Sequence, residues 1–88
     1  MSESLDKLKT QLELQDWPNV YMFKFIMINK PELMAKVLAI FDEHSDVLYK
    51  SSKNAKYMSI SVKELMLDVN SILDKYKKAS QIEGVIAL

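Results

Sequence analysis

Residues 49–62, YKSSKNAKYMSISV, read as two β-strands joined by a polar turn. From Lys56 to about Glu64 the alternation is strict. Met58, Ile60 and Val62 fall on one side, and Tyr57, Ser59, Ser61 and Lys63 on the other. Successive strand side chains point to opposite faces, so a period of two with one polar row describes an antiparallel strand covered on one side. Ser52 to Ala55 supplies the turn, and Val47 to Ser52 the strand before it.

Working outward, Val20 to Ile28 is a second strand rich in aromatic and aliphatic residues. Tyr21, Phe23, Phe25 and Met27 share one face, and Met22, Lys24, Ile26 and Ile28 the other. Both rows are largely apolar, as suits a central strand, and Lys24 marks the less buried side. Asn29-Lys30-Pro31-Glu32 turns this strand into a helix. Asn29 or Lys30 is the cap, Pro31 suits the first helical position, and Glu32 complements the positive end of the helix dipole. That helix is expected to run to about Glu43, burying Leu33, Met34, Val37, Leu38, Ile40 and Phe41.

A further helix is expected over Leu65 to Lys78, with Leu65, Val69, Ile72, Leu73 and Tyr76 as its apolar stripe. Ile82 to Leu88 reads as a last strand, with Gly84, the sole glycine of the sequence, inside it. Upstream, residues 2 to 14 form an amphipathic helix with Leu5, Leu8 and Leu12 on one face and Ser2 or Ser4 as cap. The expected fold class is α+β: a ferredoxin-like βαββαβ, with a four-stranded antiparallel sheet, two helices on one face, and an additional N-terminal helix. The expected division is residues 1–16 as the N-terminal amphipathic helix and residues 17–88 as the ferredoxin-like, ACT-like domain.

Composition narrows the function. Eighty-eight residues make one domain, which buries roughly 60% of its unfolded surface. There is no cysteine, which excludes disulfides, thiolate zinc clusters and CxxC redox chemistry. All twelve basic residues are lysine, balanced by twelve acidic ones. Nucleic-acid modules carry net positive charge and favour arginine for its bidentate grip on phosphate, so no nucleic-acid partner is expected. Nothing in residues 1 to 16 resembles a signal peptide, and the apolar run Val20 to Ile28 is too short to span a bilayer; the expectation is a cytoplasmic protein with no membrane partner.

The chain resembles the YbeD-like family of small bacterial proteins of unknown function. The resemblance rests on Trp17-Pro18, on a first strand with Tyr21 and Phe23-Lys24, and on Pro31-Glu32-Leu33 at the helix start. It is strongest at Ser51-Ser52-Lys53 followed by Tyr57 and Ser59-Ile60-Ser61-Val62, and it ends in the apolar stretch Val85 to Leu88. It covers about residues 15 to 88. It implies a ferredoxin-like fold and a likeness to ACT regulatory domains, which bind small effectors where the first strand meets the first helix, usually at a dimer interface.

Three groups of residues are therefore candidates. Asn29, Lys30, Pro31 and Glu32 would form an effector turn. ACT domains usually carry proline then glycine there, letting a ligand reach the helix N–H groups; Glu32 would instead repel an amino-acid carboxylate. Lys50, Ser51, Ser52, Lys53 and Lys56 would form an anion turn, since ammonium and hydroxyl groups both donate to phosphate. The competing reading is a solvated turn with lysines guarding strand edges. Met22, Lys24, Ile26, Ile28, Tyr57, Ser59 and Ser61 would form an interface on the sheet face opposite the core, a mixture too apolar to be left wet and too polar for a core. His44 lacks a second histidine or a cysteine to complete a metal site. With no catalytic constellation, metal or cofactor called for, the expectation is a non-enzymatic ACT-like regulatory or protein-interaction module. It would bind an unknown protein partner or form a homodimer; the alternative is a small-molecule sensor at the effector turn.

Overall fold

A computed structural model describes residues 2–88. Met1 and the side chains of residues 2–4, to which the sequence assigns the cap of the first helix, lie outside the described residues. The elements are α1 (Ser2–Leu12), β1 (Asn19–Ile28), α2 (Pro31–Leu38), β2 (Asp46–Ser51), β3 (Tyr57–Met66), α3 (Val69–Ser80) and β4 (Val85–Ala87). The strands form one antiparallel sheet in the order β2-β3-β1-β4. This is the ferredoxin-like βαββαβ arrangement preceded by a helix.

The alternation of the two long strands decides what the sheet buries. Phe23, Phe25 and Met27 of β1 and Ile60, Val62 and Met66 of β3 are buried on the helix side. Val37 of α2, Phe41 just after it, and Ile72, Leu73, Tyr76 and Ala79 of α3 close over them. Phe23 is the centre of the aromatic packing. Its ring centroid lies 4.8 Å from that of Tyr21, 5.0 Å from Phe41 and 5.4 Å from Tyr76.

The N-terminal helix docks on the helical side. Leu12 is buried in the core, Leu5 and Leu8 pack against it, and α1 contacts α3. The Trp17 indole N–H donates to the Leu12 carbonyl at 2.9 Å and fixes the exit from the helix. α1 therefore does not cover the sheet face opposite the core.

Several boundaries differ from the sequence reading, each for a local reason. β3 continues to Met66, so Leu65 is an exposed strand residue rather than part of a helical stripe. α3 starts at Val69 because Asp68 caps it, its carboxylate accepting the Ser71 N–H at 2.8 Å. α2 ends at Leu38, and Ile40 and Phe41 are carried by tighter turns whose N–H groups bond to Val37 and Leu38 carbonyls. The last strand is three residues long, and Gly84 precedes it at φ +89°, a conformation that L side chains rarely adopt.

The β2–β3 turn carries one strained residue, Ala55 at φ 60°. For a residue with a Cβ the left-handed region costs about 1–2 kcal/mol, while glycine there loses about 0.4–1 kcal/mol more entropy on folding. Ala55→Gly is therefore expected to stabilise the domain by about 0.5–1 kcal/mol, raising Tm by about 2–8 °C in a thermal melt. A lower Tm would show that the turn relieves this strain elsewhere.

Candidate functional site

The register of the sheet brings the candidate interface residues onto one surface. Lys24 pairs with Ser61, Ile26 with Ser59 and Ile28 with Tyr57, so these side chains share the face away from the helices. β2 adds Leu48 and Lys50, opposite Ser61 and Ser59, and β4 adds Ile86, opposite Ile26. Leu48 is 70% exposed, Ile86 63% and Met22 51%, with Val20, Ile28, Tyr57 and Leu65 exposed beside them. The charged groups on this face are Lys24, Lys50, Lys63 and Asp46, the last directly opposite Lys63. On this face the exposed apolar side chains are interspersed with lysines, Lys24 lying between Met22 and Ile26 along β1 and Lys63 beside Met22 on β3. Val20, Leu48, Leu65 and Ile86 are apolar additions to the face that the sequence reading leaves out. Leu48 and Ile86 alternate with inward-facing neighbours and are assignable by period two, whereas Leu65 also fits a helical stripe.

The effector-turn residues serve the fold. Asn29 reaches across to the hairpin turn, its N–H donating to the Lys56 carbonyl at 2.9 Å and its side-chain amide to the Ala55 carbonyl at 3.1 Å. Lys30 is the N-cap of α2, in extended conformation and without a side-chain cap bond; its carbonyl accepts from Leu33 and Met34. Pro31 takes the first helical position, and Glu32 is exposed in the first turn.

The anion-turn residues separate into two groups. Lys50, Ser51 and Ser52 line a shallow depression of about 180 Å³ on the open face, with Ile26, Tyr57 and Ser59. Lys53 and Lys56 do not line it, and the Lys56 ammonium lies 5.5 Å from the Tyr57 ring centroid. The Ser52 hydroxyl is engaged by its own turn, donating to Asn54 Oδ1 at 3.1 Å and accepting the Tyr57 N–H at 3.0 Å. A hydroxyl so engaged holds the hairpin and has little left for a phosphate.

Two polar groups on the helix side have no counterpart in the sequence reading. Glu64 follows Val62 on the inward row, and a charge there needs partners. Its carboxylate lies 3.2 Å from the Lys75 ammonium and accepts from the Ser45 hydroxyl and the Asp42 N–H. Burial alone would raise its pKa, but the bonds from Ser45, Asp42 and Lys75 outweigh it and hold Glu64 below the ordinary value of 4.5. Tyr21 and Tyr76 share a hydroxyl–hydroxyl bond of 2.8 Å. Burial, reinforced by that bond, raises the Tyr76 phenol well above its ordinary range, so it stays protonated.

His44 is largely exposed, 3.6 Å from the Glu43 carboxylate. Among the described residues no helix is long and apolar enough to cross a membrane. The sequence profile of a family described as a protein of unknown function, DUF493, matches residues 12–88. No curated protein and no solved structure matches the chain.

Proposed function

The chain belongs to the DUF493 family, the same YbeD-like family that its motifs resemble, and on that premise we propose that it is a non-enzymatic, ACT-like regulatory or protein-interaction module of the bacterial cytoplasm acting through the open face of its sheet. The observation that carries this reading is the exposed apolar surface of Met22, Ile28, Leu48, Tyr57 and Ile86 on the side that α1 leaves bare. Large apolar side chains exposed together on one face mark interaction sites, because leaving them in water is unfavourable.

The charges suggest what binds. Lys24, Lys50 and Lys63 against Asp46 make a face that repels its own copy in a stacked dimer. A protein partner that presents apolar side chains interspersed with acidic ones suits it better. Single-stranded nucleic acid is a poorer fit, since stacking platforms use several aromatic rings and this face offers Tyr57 among aliphatic residues.

Met22→Glu with Ile86→Glu tests the reading. Both positions are exposed, so the variant should melt within a few degrees of the parent. Binding partners captured by the parent chain should be lost from this variant and kept by Lys77→Glu, which alters the exposed side of α3. Sedimentation over a concentration series should show a monomer. A dimer dissociated by the double variant would make the face a self-interface; capture unchanged by the variant would sink the proposal.

A further inference from the structure

The sheet edge formed by β2 carries a second contact surface, which does not depend on the open-face reading. β2 pairs with β3 on one side, with Asp46 opposite Lys63, Leu48 opposite Ser61 and Lys50 opposite Ser59. The Ser52 N–H donates to the Tyr57 carbonyl at 2.9 Å and continues that register by one pair. Alternate residues of an antiparallel strand direct both backbone polar groups to the same neighbour. Ser52, Lys50, Leu48 and Asp46 therefore turn theirs to β3, and Val47 and Tyr49 turn their N–H and carbonyl groups outward. Those outward groups have no protein partner among the described residues.

The side chains of this edge select what pairs with it. The stretch Asp46-Val47-Leu48-Tyr49-Lys50 is complementary to itself read in reverse. An antiparallel second copy centred on Leu48 sets Asp46 against Lys50 of that copy and Val47 against its Tyr49, each combination occurring twice. Leu48 meets its own counterpart across the axis, on the open face. Opposite charges, and an aromatic ring beside a β-branched residue, are favourable cross-strand pairs. The backbone agrees with this register. Val47 and Tyr49 carry the free polar groups, so they exchange two hydrogen bonds at each crossing, while Leu48 forms the closer, non-hydrogen-bonded pair. A register centred on Tyr49 would instead set Leu48 against Lys50, Val47 against Ser51 and Asp46 against Ser52. Neither Asp46 nor Lys50 has an ion-pair partner within the chain among the described residues. Charged side chains usually guard an edge strand; here they are of opposite sign and placed symmetrically about Leu48, so a copy is attracted and not repelled. We propose that β2 pairs with β2 of a second copy about a twofold axis at Leu48, joining the two sheets into one with both open faces on the same side. The contact is short, well under the area of a stable interface. Its dissociation constant is expected at about 1 mM, so the chain sediments as a monomer at tens of micromolar.

Amide shifts of the ¹⁵N-labelled full chain, followed from about 0.05 to about 3 mM, test the pairing. Shifts at Val47 to Ser51 should grow with concentration. Asp46→Lys and Lys50→Asp alter exposed positions and should each leave the fold intact. Each should weaken the pairing at least about five-fold, because both charge pairs become repulsive. An equal mixture of these two variants should pair at least as well as the parent chain, since the lysines of one then face the aspartates of the other. Met22→Glu with Ile86→Glu should leave the pairing unchanged, which separates this edge from the proposed interaction face. Shifts that stay constant over the whole concentration range would overturn the proposal. So would changes confined to Met22, Ile28 and Ile86, or a mixture of the two charge variants that pairs no better than either alone.

Discussion

Replacing Phe23 by alanine is expected to remove about 3–5 kcal/mol of folding stability. A domain of this length holds roughly 4–13 kcal/mol in total, so the loss is a large share of it and leaves part of the population unfolded at 37 °C. The size follows from what the ring touches. Phe23 is fully buried on the central strand and packs against Tyr21, Phe25, Phe41 and Tyr76. Truncation removes the transfer energy of the ring and also opens a cavity. The walls of that cavity belong to β1, α3 and the segment after α2, which cannot all move inward together. Leu48→Ala is the control, since a side chain 70% exposed on an edge strand should cost no more than about 0.5 kcal/mol. Urea denaturation followed by tryptophan fluorescence measures both. A loss below about 1.5 kcal/mol for Phe23→Ala, or an equal loss for Leu48→Ala, would show that Phe23 is not the centre of the core.

That core is legible in the amino-acid order because β-periodicity is a local signal. Phe23, Phe25 and Met27 alternate with Met22, Lys24 and Ile26, and Met58, Ile60 and Val62 with Ser59 and Ser61, so both faces of the central pair can be read directly. Pro31 announces the start of α2 through its fixed φ. The failures have a common origin in apolar runs where two periods compete. Leu65-Met66-Leu67 fits a helical stripe as well as the end of a strand, and the Asp68 cap with Ser71 three residues on is the stronger local sign. Phe41 is buried without being helical, because tertiary packing on Phe23 and Phe25 holds it where propensity alone would extend α2. Ile82 to Leu88 is apolar enough to suggest a seven-residue strand, but β4 spans only Val85 to Ala87, after Gly84 at φ +89°. The Glu64–Lys75 pair joins β3 to α3, and nothing in either local pattern names the other partner.

The placement of α1 decides which surface stays bare. Covering the open face would have needed its leucines on the far side of the sheet. They turn instead toward α3, where Leu12 completes the core and Leu5 and Leu8 line an apolar pocket with Tyr21 and Tyr76. The helix thus leaves one surface bare and builds part of another.

Glu64→Gln is expected to cost about 2–4 kcal/mol at pH 7, and to cost progressively less as the pH falls. The carboxylate ties β3 to two other segments: to α3 through Lys75 at 3.2 Å, and to the loop before β2 through the Ser45 hydroxyl and the Asp42 N–H. Lys75 in turn donates to the Ile40 carbonyl at 2.9 Å and lies 4.9 Å from the Phe41 ring centroid. Both charged side chains are only 17% exposed, so removing one charge leaves the other poorly solvated with part of its bonding gone. The pH dependence follows from the direction of the shift. The folded-state pKa of Glu64 lies below the ordinary 4.5, because the bonds it accepts and the Lys75 charge outweigh the opposing effect of burial. The unfolded chain therefore takes up the proton first. The stabilisation is fully present above about pH 4.5 and is lost as pH falls through the lower folded value. The difference in stability between the parent chain and Glu64→Gln should be constant from pH 7 to about pH 5 and shrink towards pH 3. Lys75→Met alone should also destabilise, but Glu64→Gln combined with Lys75→Met should cost less than the two single changes added together, since the second change removes a charge that the first left unpaired. Urea denaturation of the four proteins at pH 7 and pH 3 measures every term. Strict additivity at pH 7, or a Glu64→Gln deficit as large at pH 3 as at pH 7, would mean that the carboxylate contributes by shape and not by charge.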